Sequence, residues 1–320
     1  MKSSKEIIEI AEKVIRHESQ AISHLSSLLD EQFSAAVTSI YQSSGRLIIT
    51  GIGKSAIIAN KIVATLNSTG QPSMFMHAAD AIHGDLGMIQ SDDLVLCISK
   101  SGNTPEIKVL VPLIKNLGNQ LIAMTSNKDS FLAEHADYVF QAYVDKEACP
   151  NNLAPTTSTT AQLVLGDALA VALLEMRAFT SNDFAKYHPG GSLGKKLYLR
   201  VEDIVHTEKP QVSLNASLQE VIIEISSKRL GATVVVESNE IHGLITDGDL
   251  RRMLQKGNHI NDVLARDIMS EKPKCVSKDA LAAEALAIME ANHITQLVVE
   301  NDGRYVGIVH LHDILKEGIL

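Results

Sequence analysis

No block of Lys or Arg residues occurs along the 320-residue chain, and its formal charge is −9. It therefore lacks the basic surface that nucleic acid or an anionic membrane selects, and any anion must be held by local geometry. Cysteine is scarce as well. Cys97, Cys149 and Cys275 are an odd, widely spaced set that fits neither a disulfide framework nor a zinc knuckle, which points to a reducing cytoplasm. The first residues, Met-Lys-Ser-Ser-Lys-Glu, lead into an amphipathic helical pattern with no apolar signal-peptide core. No stretch approaches the about 18 apolar residues of a membrane span. The expectation is a protein neither exported nor inserted. What is present, 45% hydrophobic and 21% charged residues, is ordinary globular composition with room for two sizeable cores.

One segment carries most of the chemical information. Residues 94–106 run from an apolar stretch into Ser99-Lys100-Ser101-Gly102-Asn103-Thr104 and then into Pro105 and Glu106, a helix start. Ser99, Ser101 and Thr104 offer hydroxyls, Gly102 permits a positive-φ turn, and the following helix adds the positive end of its dipole. The pattern predicts a phosphate cradle, and a phosphorylated small molecule is the first candidate ligand.

Apolar residues recur at helical spacing from Ile7 to about Tyr41, after which near-continuous apolar runs at 46–51, 73–77, 93–98, 120–125 and 138–144 predict strands. Helical patterns at 54–68, 105–117, 129–135 and 158–178 separate or follow them. The expected class is α/β, a parallel sheet sandwiched by helices, with a ligand outside the carboxyl ends of the strands. Three further segments fall at such ends. In Gly51-Ile52-Gly53-Lys54-Ser55 the glycines allow close backbone approach and Lys54 can reach the same anion; it is not a Walker A loop. Thr156-Thr157-Ser158-Thr159-Thr160 follows Pro155 at the start of a long apolar helix and offers more hydroxyls than one cap requires. Ionisable candidates lie in adjoining loops: Asp80, His83 and Asp85, then Glu106, Glu147 and His188.

The last third contains a repeat. Asp203-Ile204-Val205 pairs with Asp267-Ile268-Met269, and Gly243-Leu244-Ile245 through Asp249 pairs with Gly307-Ile308-Val309 through Asp313, at a constant offset. Each copy reads helix, strand, turn, strand, helix, and the pair resembles tandem CBS domains, small α+β modules. That resemblance implies a cleft for an adenosyl nucleotide, with Thr246 and Asp249 on the ribose in the first copy. In the second, His310 replaces the Thr and only Asp313 is kept.

The order of Lys54 in Gly-Ile-Gly-Lys-Ser, His83 in His-Gly-Asp-Leu-Gly-Met, Ser99 to Glu106, Glu147 in Lys-Glu-Ala-Cys-Pro, the Ala154 to Thr160 segment and His188-Pro189-Gly190-Gly191 resembles that of the arabinose-5-phosphate isomerases. In these proteins a sugar isomerase (SIS) domain precedes a CBS pair. The resemblance covers essentially the whole chain and implies a SIS domain over 1–198 and CBS modules over 199–262 and 263–320. It also implies interconversion of D-arabinose 5-phosphate and D-ribulose 5-phosphate on the way to the Kdo sugar of lipopolysaccharide, by a cytoplasmic homotetramer with composite active sites. Two departures stand out: Lys100 where many members carry Asn, and Ala78-Ala79-Asp80 in place of a Pro-Gly-Glu-like segment.

The reaction needs ring opening, proton abstraction alpha to a carbonyl and return of the proton through a cis-enediol, with no cofactor. The catalytic assignments are Lys54 for charge stabilisation, Glu147 for proton transfer, His188 for ring opening and Glu106 in support. Substrate and phosphate contacts are assigned to Gly53, Ser55, His83, Ser99, Ser101, Gly102, Thr104, Thr156, Thr157, Ser158, Thr159 and Thr160. The chain lacks His-X-X-X-His and Cys-X-X-Cys spacings, so no metal is required, and His83 with His188 is the candidate pair for an inhibitory ion. The alternatives are an isomerase of another phosphosugar and a sugar-phosphate-sensing regulator; a regulator of that kind usually carries a helix-turn-helix with a basic face, which is not visible here.

Overall fold

The structure, a computed structural model, describes residues 2–206, 208–255 and 263–319. The chain divides between Phe184 and Ala185 into two compact units. Residues 262 and 320, at the expected module limits, lie outside the described residues.

The first unit opens with α1 (Ser4–Leu25) and α2 (Glu31–Gln42). Alternating elements follow: β1 (Leu47–Gly51), α3 (Lys54–Ser68), β2 (Ser73–His77), α4 (Ala78–Ala81), β3 (Leu94–Ile98), α5 (Pro105–Leu117), β4 (Leu121–Thr125), α6 (Phe131–His135), β5 (Tyr138–Gln141) and α7 (Thr157–Met176). The strands pair in parallel in the order β2-β1-β3-β4-β5. Their residues alternate between two cores, as a period of two demands. Leu47, Ile49, Leu96 and Ile98 pack with Ile62, Leu165 and Leu169 of α3 and α7. Ile48, Val95 and Cys97 pack with Ile107, Leu110, Val111 and Ile114 of α5. Burial on both faces is why each strand reads as a continuous apolar run.

Two expectations need correction, and the helical pattern at the start of the chain gains a detail. The fifth strand ends at Gln141, not 144, because its only ladder among the described residues is with β4, which ends at Thr125. Ala142 and Val144 stay buried in the core without being strand, so the apolar signal came from packing. The apolar residues of the first half of α1 also face outward: Ile7, Ile8, Ile10 and Ile15 are exposed, and Leu25 at its end reaches the core. Finally, α7 is long and apolar enough, by length and composition, to cross a membrane. Its Ala161, Leu165, Leu169, Ala170 and Leu173 are buried in the core, and Gly166 lies where a Cβ would strike Ile62 of α3, which accounts for the composition as that of a core helix.

The second unit begins within α8 (Ser181–Tyr187) and contains α9 (Ser192–Tyr198), β6 (Gln211–Val212), α10 (Leu218–Lys228), β7 (Ala232–Glu237), β8 (Glu240–Thr246) and α11 (Asp247–Gln255). It continues with α12 (Ala265–Ile268), β9 (Ser270–Glu271), β10 (Cys275–Ser277), α13 (Ala282–Asn292), β11 (Gln296–Asn301), β12 (Arg304–His310) and α14 (Leu311–Lys316). The two copies share one sheet, ordered β10-β11-β12-β8-β7-β6 with β9 beside β8, joined where Arg304 pairs with Glu240. A common core of Leu230, Ala232, Val234, Val298, Tyr305 and Ile308 draws on both copies. Tyr305 is buried and its hydroxyl donates to the Pro210 carbonyl at 3.0 Å.

Candidate active site

In the strand order β2-β1-β3, the connections leave β1 and β3 in opposite directions, and the crevice at their carboxyl ends is the topological switch point. A cavity of about 310 Å³ lies there. The loop after β1 contributes Ile52, Lys54 and Ser55; the loop after β3 contributes Ser99, Lys100, Ser101 and Thr104; the start of α7 contributes Ser158, Thr159 and Gln162.

The helix starts around this cavity are unusual. Gly53, at φ +60°, precedes α3, and Thr104 precedes α5; neither gives its helix a side-chain cap, so the first-turn N–H groups keep their capacity for an anion. Thr104 Oγ1 is itself buried without a hydrogen-bond partner. The cradle is shaped by Gly102, at φ +64°, where a Cβ would lie 2.2 Å from Ser130 Oγ; its N–H donates to Ser99 Oγ at 3.2 Å. The cavity lining carries two ammonium groups, Lys54 and Lys100, and no carboxylate.

The adjoining carboxylate is Glu147, whose side chain is 1% exposed. Its Oε1 accepts from Lys100 Nζ at 2.5 Å and from Ser158 Oγ at 2.5 Å. Its Oε2 accepts from the N–H groups of Thr156 (2.9 Å) and Ser158 (3.1 Å) and from Thr156 Oγ1 (3.3 Å). Glu147 thus caps α7 from another loop. Burial alone would raise its carboxyl, but the bonds from Lys100, Ser158 and Thr156 outweigh burial and hold it down to about 2.

The hydroxyl run divides. Ser158 and Thr159 reach the cavity, whereas Thr156 and Thr157 accept from the Ala148 N–H at 3.1 and 3.0 Å, and Thr160 donates to Glu18 of α1 at 3.1 Å. Those three hold the Glu147 loop and the first helix. Glu106 is half-buried in the first turn of α5 and outside the cavity lining; His83 is exposed, its N–H on the Asp80 carbonyl. His188 belongs to the second unit, its N–H on the Ala185 carbonyl. Among the described residues no group of three or more His, Cys, Asp or Glu side chains is arranged to hold a metal ion.

Sequence reasoning gave no role to Gln162 or Asn152. Gln162 is buried and accepts from Ser55 Oγ at 3.2 Å, and Asn152 Oδ1 accepts the Glu147 N–H at 2.7 Å. A Gln one turn beyond Ser158, on the buried side of an apolar helix, was the available signal for the first.

In the second unit, Asp249 Oδ2 accepts from the Thr246 N–H (2.9 Å) and Oγ1 (2.6 Å), and Oδ1 pairs with Arg252 at 2.5 Å. Asp313 Oδ2 accepts the His310 N–H at 3.2 Å and lies 2.8 Å from His206 Nε2.

Residues 39–172 match the SIS domain family, and residues 201–256 and 265–319 match the CBS domain family. Arabinose 5-phosphate isomerase KdsD of Pseudomonas aeruginosa is 48% identical over 324 residues, covering 100% of this chain and 99% of that protein. The chain belongs to the arabinose 5-phosphate isomerase family. Another member, from Yersinia pestis, is 46% identical over 98% of this chain and 96% of its own length. Among solved structures, c3406 of Escherichia coli CFT073 in complex with arabinose 5-phosphate is 39% identical with a TM-score of 0.57, covering 59% of this chain and all of that one. A putative sugar-phosphate isomerase of Listeria monocytogenes, 34% identical at the same TM-score, also covers 59% of this chain and all of its own. Relatives of that family thus match along the whole chain, and solved folds match over 59% of it.

Proposed function

We propose that the protein interconverts D-arabinose 5-phosphate and D-ribulose 5-phosphate through an enediol, in the supply of Kdo for lipopolysaccharide. The observation that carries this reading is the cavity at the β1/β3 switch point, where two ammonium groups and uncapped helix starts adjoin a buried carboxylate. The phosphate dianion lies against Ser99, Ser101, Gly102, Thr104, Ser158 and Thr159. His188 assists ring opening. Glu147 takes the proton from C2 of the open aldehyde and returns it to C1, while the O2 proton passes to O1. Lys54 stabilises the enediolate oxygen, where charge develops, and Glu106 and His83 orient hydroxyls.

The same reading takes the domain limits as 1–198, 199–262 and 263–320, the assembly as a cytoplasmic homotetramer, and Thr246 with Asp249 as the ribose contact of an adenine nucleotide. The exposed Ile7, Ile8, Ile10 and Ile15 of α1 support burial against a second copy. The test is NMR of D-arabinose 5-phosphate with the protein in D₂O without added cofactor. Ribulose 5-phosphate with deuterium at the exchanging carbon supports the assignment. Binding without conversion would remove it and favour another phosphosugar or a sensing role.

A further inference from the structure

Both oxygens of Glu147 are saturated: five donors, Lys100 Nζ, Ser158 Oγ, Thr156 Oγ1 and the N–H groups of Thr156 and Ser158, converge on a carboxylate with about four lone-pair sites. A carboxylate so engaged has no free lone pair with which to receive a proton from carbon. Four of the five donors belong to the fixed start of α7. The fifth is on a flexible stem in the loop after β3, between Ser99 and Ser101, and its side chain is 42% exposed where that of Glu147 is 1%.

We propose that Lys100 is a latch with two alternative partners, the Glu147 carboxylate and the phosphate of the substrate, so that phosphate binding frees Glu147 Oε1 for proton transfer. The inference rests on the phosphosugar isomerase reading and adds to it how a saturated carboxylate becomes a base only when substrate is seated. Lys100 lines the same cavity as Lys54 and the cradle hydroxyls, so its ammonium moves within one site. A phosphate dianion outcompetes a single carboxylate charge for an ammonium at contact distance. The remaining groups around Glu147 do not substitute for Lys100. The first turn of α7 carries no acidic residue, Lys54 lines the cavity from the start of α3, Lys146 is exposed with its carbonyl 3.0 Å from His17 Nε2, and Asn152 is neutral. Departure of Lys100 removes one of the bonds that hold the Glu147 carboxyl down and leaves an open acceptor on Oε1.

The test is a double-mutant cycle on the affinity for inorganic phosphate, measured by calorimetry on the full-length chain. Lys100→Met keeps the aliphatic stem, and Glu147→Gln keeps an acceptor for the α7 N–H groups. Glu147→Gln is expected to bind phosphate about tenfold more tightly than wild type, the size of coupling seen between groups in contact, and the gain should shrink to less than about twofold in the Lys100→Met background. Equal tightening in both backgrounds would reduce the effect to removal of a nearby negative charge and overturn the latch, as would no tightening at all. If wild type isomerises the sugar while the coupling is absent, only the latch falls. If wild type binds no phosphate, the cradle falls with it.

Discussion

At the carboxyl ends of β1 and β3 the chain enters a helix through Gly53 and Thr104, and neither side chain caps the helix it introduces. At the carboxyl end of β8 the corresponding corner is closed: Thr246 donates twice to Asp249, and after β12 the His310 N–H donates to Asp313 while the His310 ring accepts from the His312 N–H. The two units therefore build the same strand-turn-helix corner to opposite ends. In the first, backbone donors are left for a ligand; in the second, they are satisfied locally. The difference lies in which residue stands three positions into the turn, and it separates a corner whose backbone donors stay open from one whose Asp is already engaged by protein donors.

The contrast can be tested by its largest effect first. Glu147→Gln should lower kcat by about 10² to 10⁴ if this carboxylate moves the proton, measured by initial rates with the sugar phosphate. Turnover within about threefold of wild type would leave Glu147 only its capping role. The same side chain should mark the acid limb of stability. Its folded-state pKa lies below the unfolded value, so its contribution is present above about pH 4.5 and disappears as pH falls towards 2. Acid titration followed by circular dichroism should show wild type losing its advantage over Glu147→Gln across that interval.

Glycines at positive φ offer a matched pair across the two units. Gly102→Ala brings a Cβ onto Ser130, whereas Gly303→Ala in the β11–β12 turn meets nothing within 4 Å. The first should cost about 2–4 kcal/mol and weaken phosphate binding, and the second about 1 kcal/mol, by thermal unfolding. Equal costs would mean that backbone strain alone governs both. The smallest effect belongs to a closed corner. Ser217 and Glu220 form a reciprocal cap on α10, and Ser217→Ala should lower stability by about 0.5 kcal/mol.

Much of this was readable along the chain because burial on two faces forces strands into continuous apolar runs; β2 and the helices at Lys54–Ser68 and Pro105–Leu117 fall where the pattern places them. The turn at Gly102 was legible for a related reason, since a glycine between an apolar run and a Pro marks where a strand gives way to a helix. What periodicity could not convey was direction. Thr156, Thr157 and Thr160 carry the same hydroxyls as Ser158 and Thr159, yet a helix turns three of them to the Glu147 loop and α1. Lys100 was legible as an added charge, but its pairing with Glu147 depends on two loops distant in the chain. The outward apolar side of α1 was legible as helix but not as exposed, because an amphipathic pattern reports that a face is to be covered without saying by what.

The Tyr305 phenol, anchored on the Pro210 carbonyl, has a consequence for how the doubled module can change. Its ring belongs to one repeat and its acceptor to the other, so deleting either repeat strips an aromatic from the interior or strands a hydroxyl there. Two segments that began as copies have become halves of one object, and a shortened descendant must lose both together or rebuild the seam it exposes.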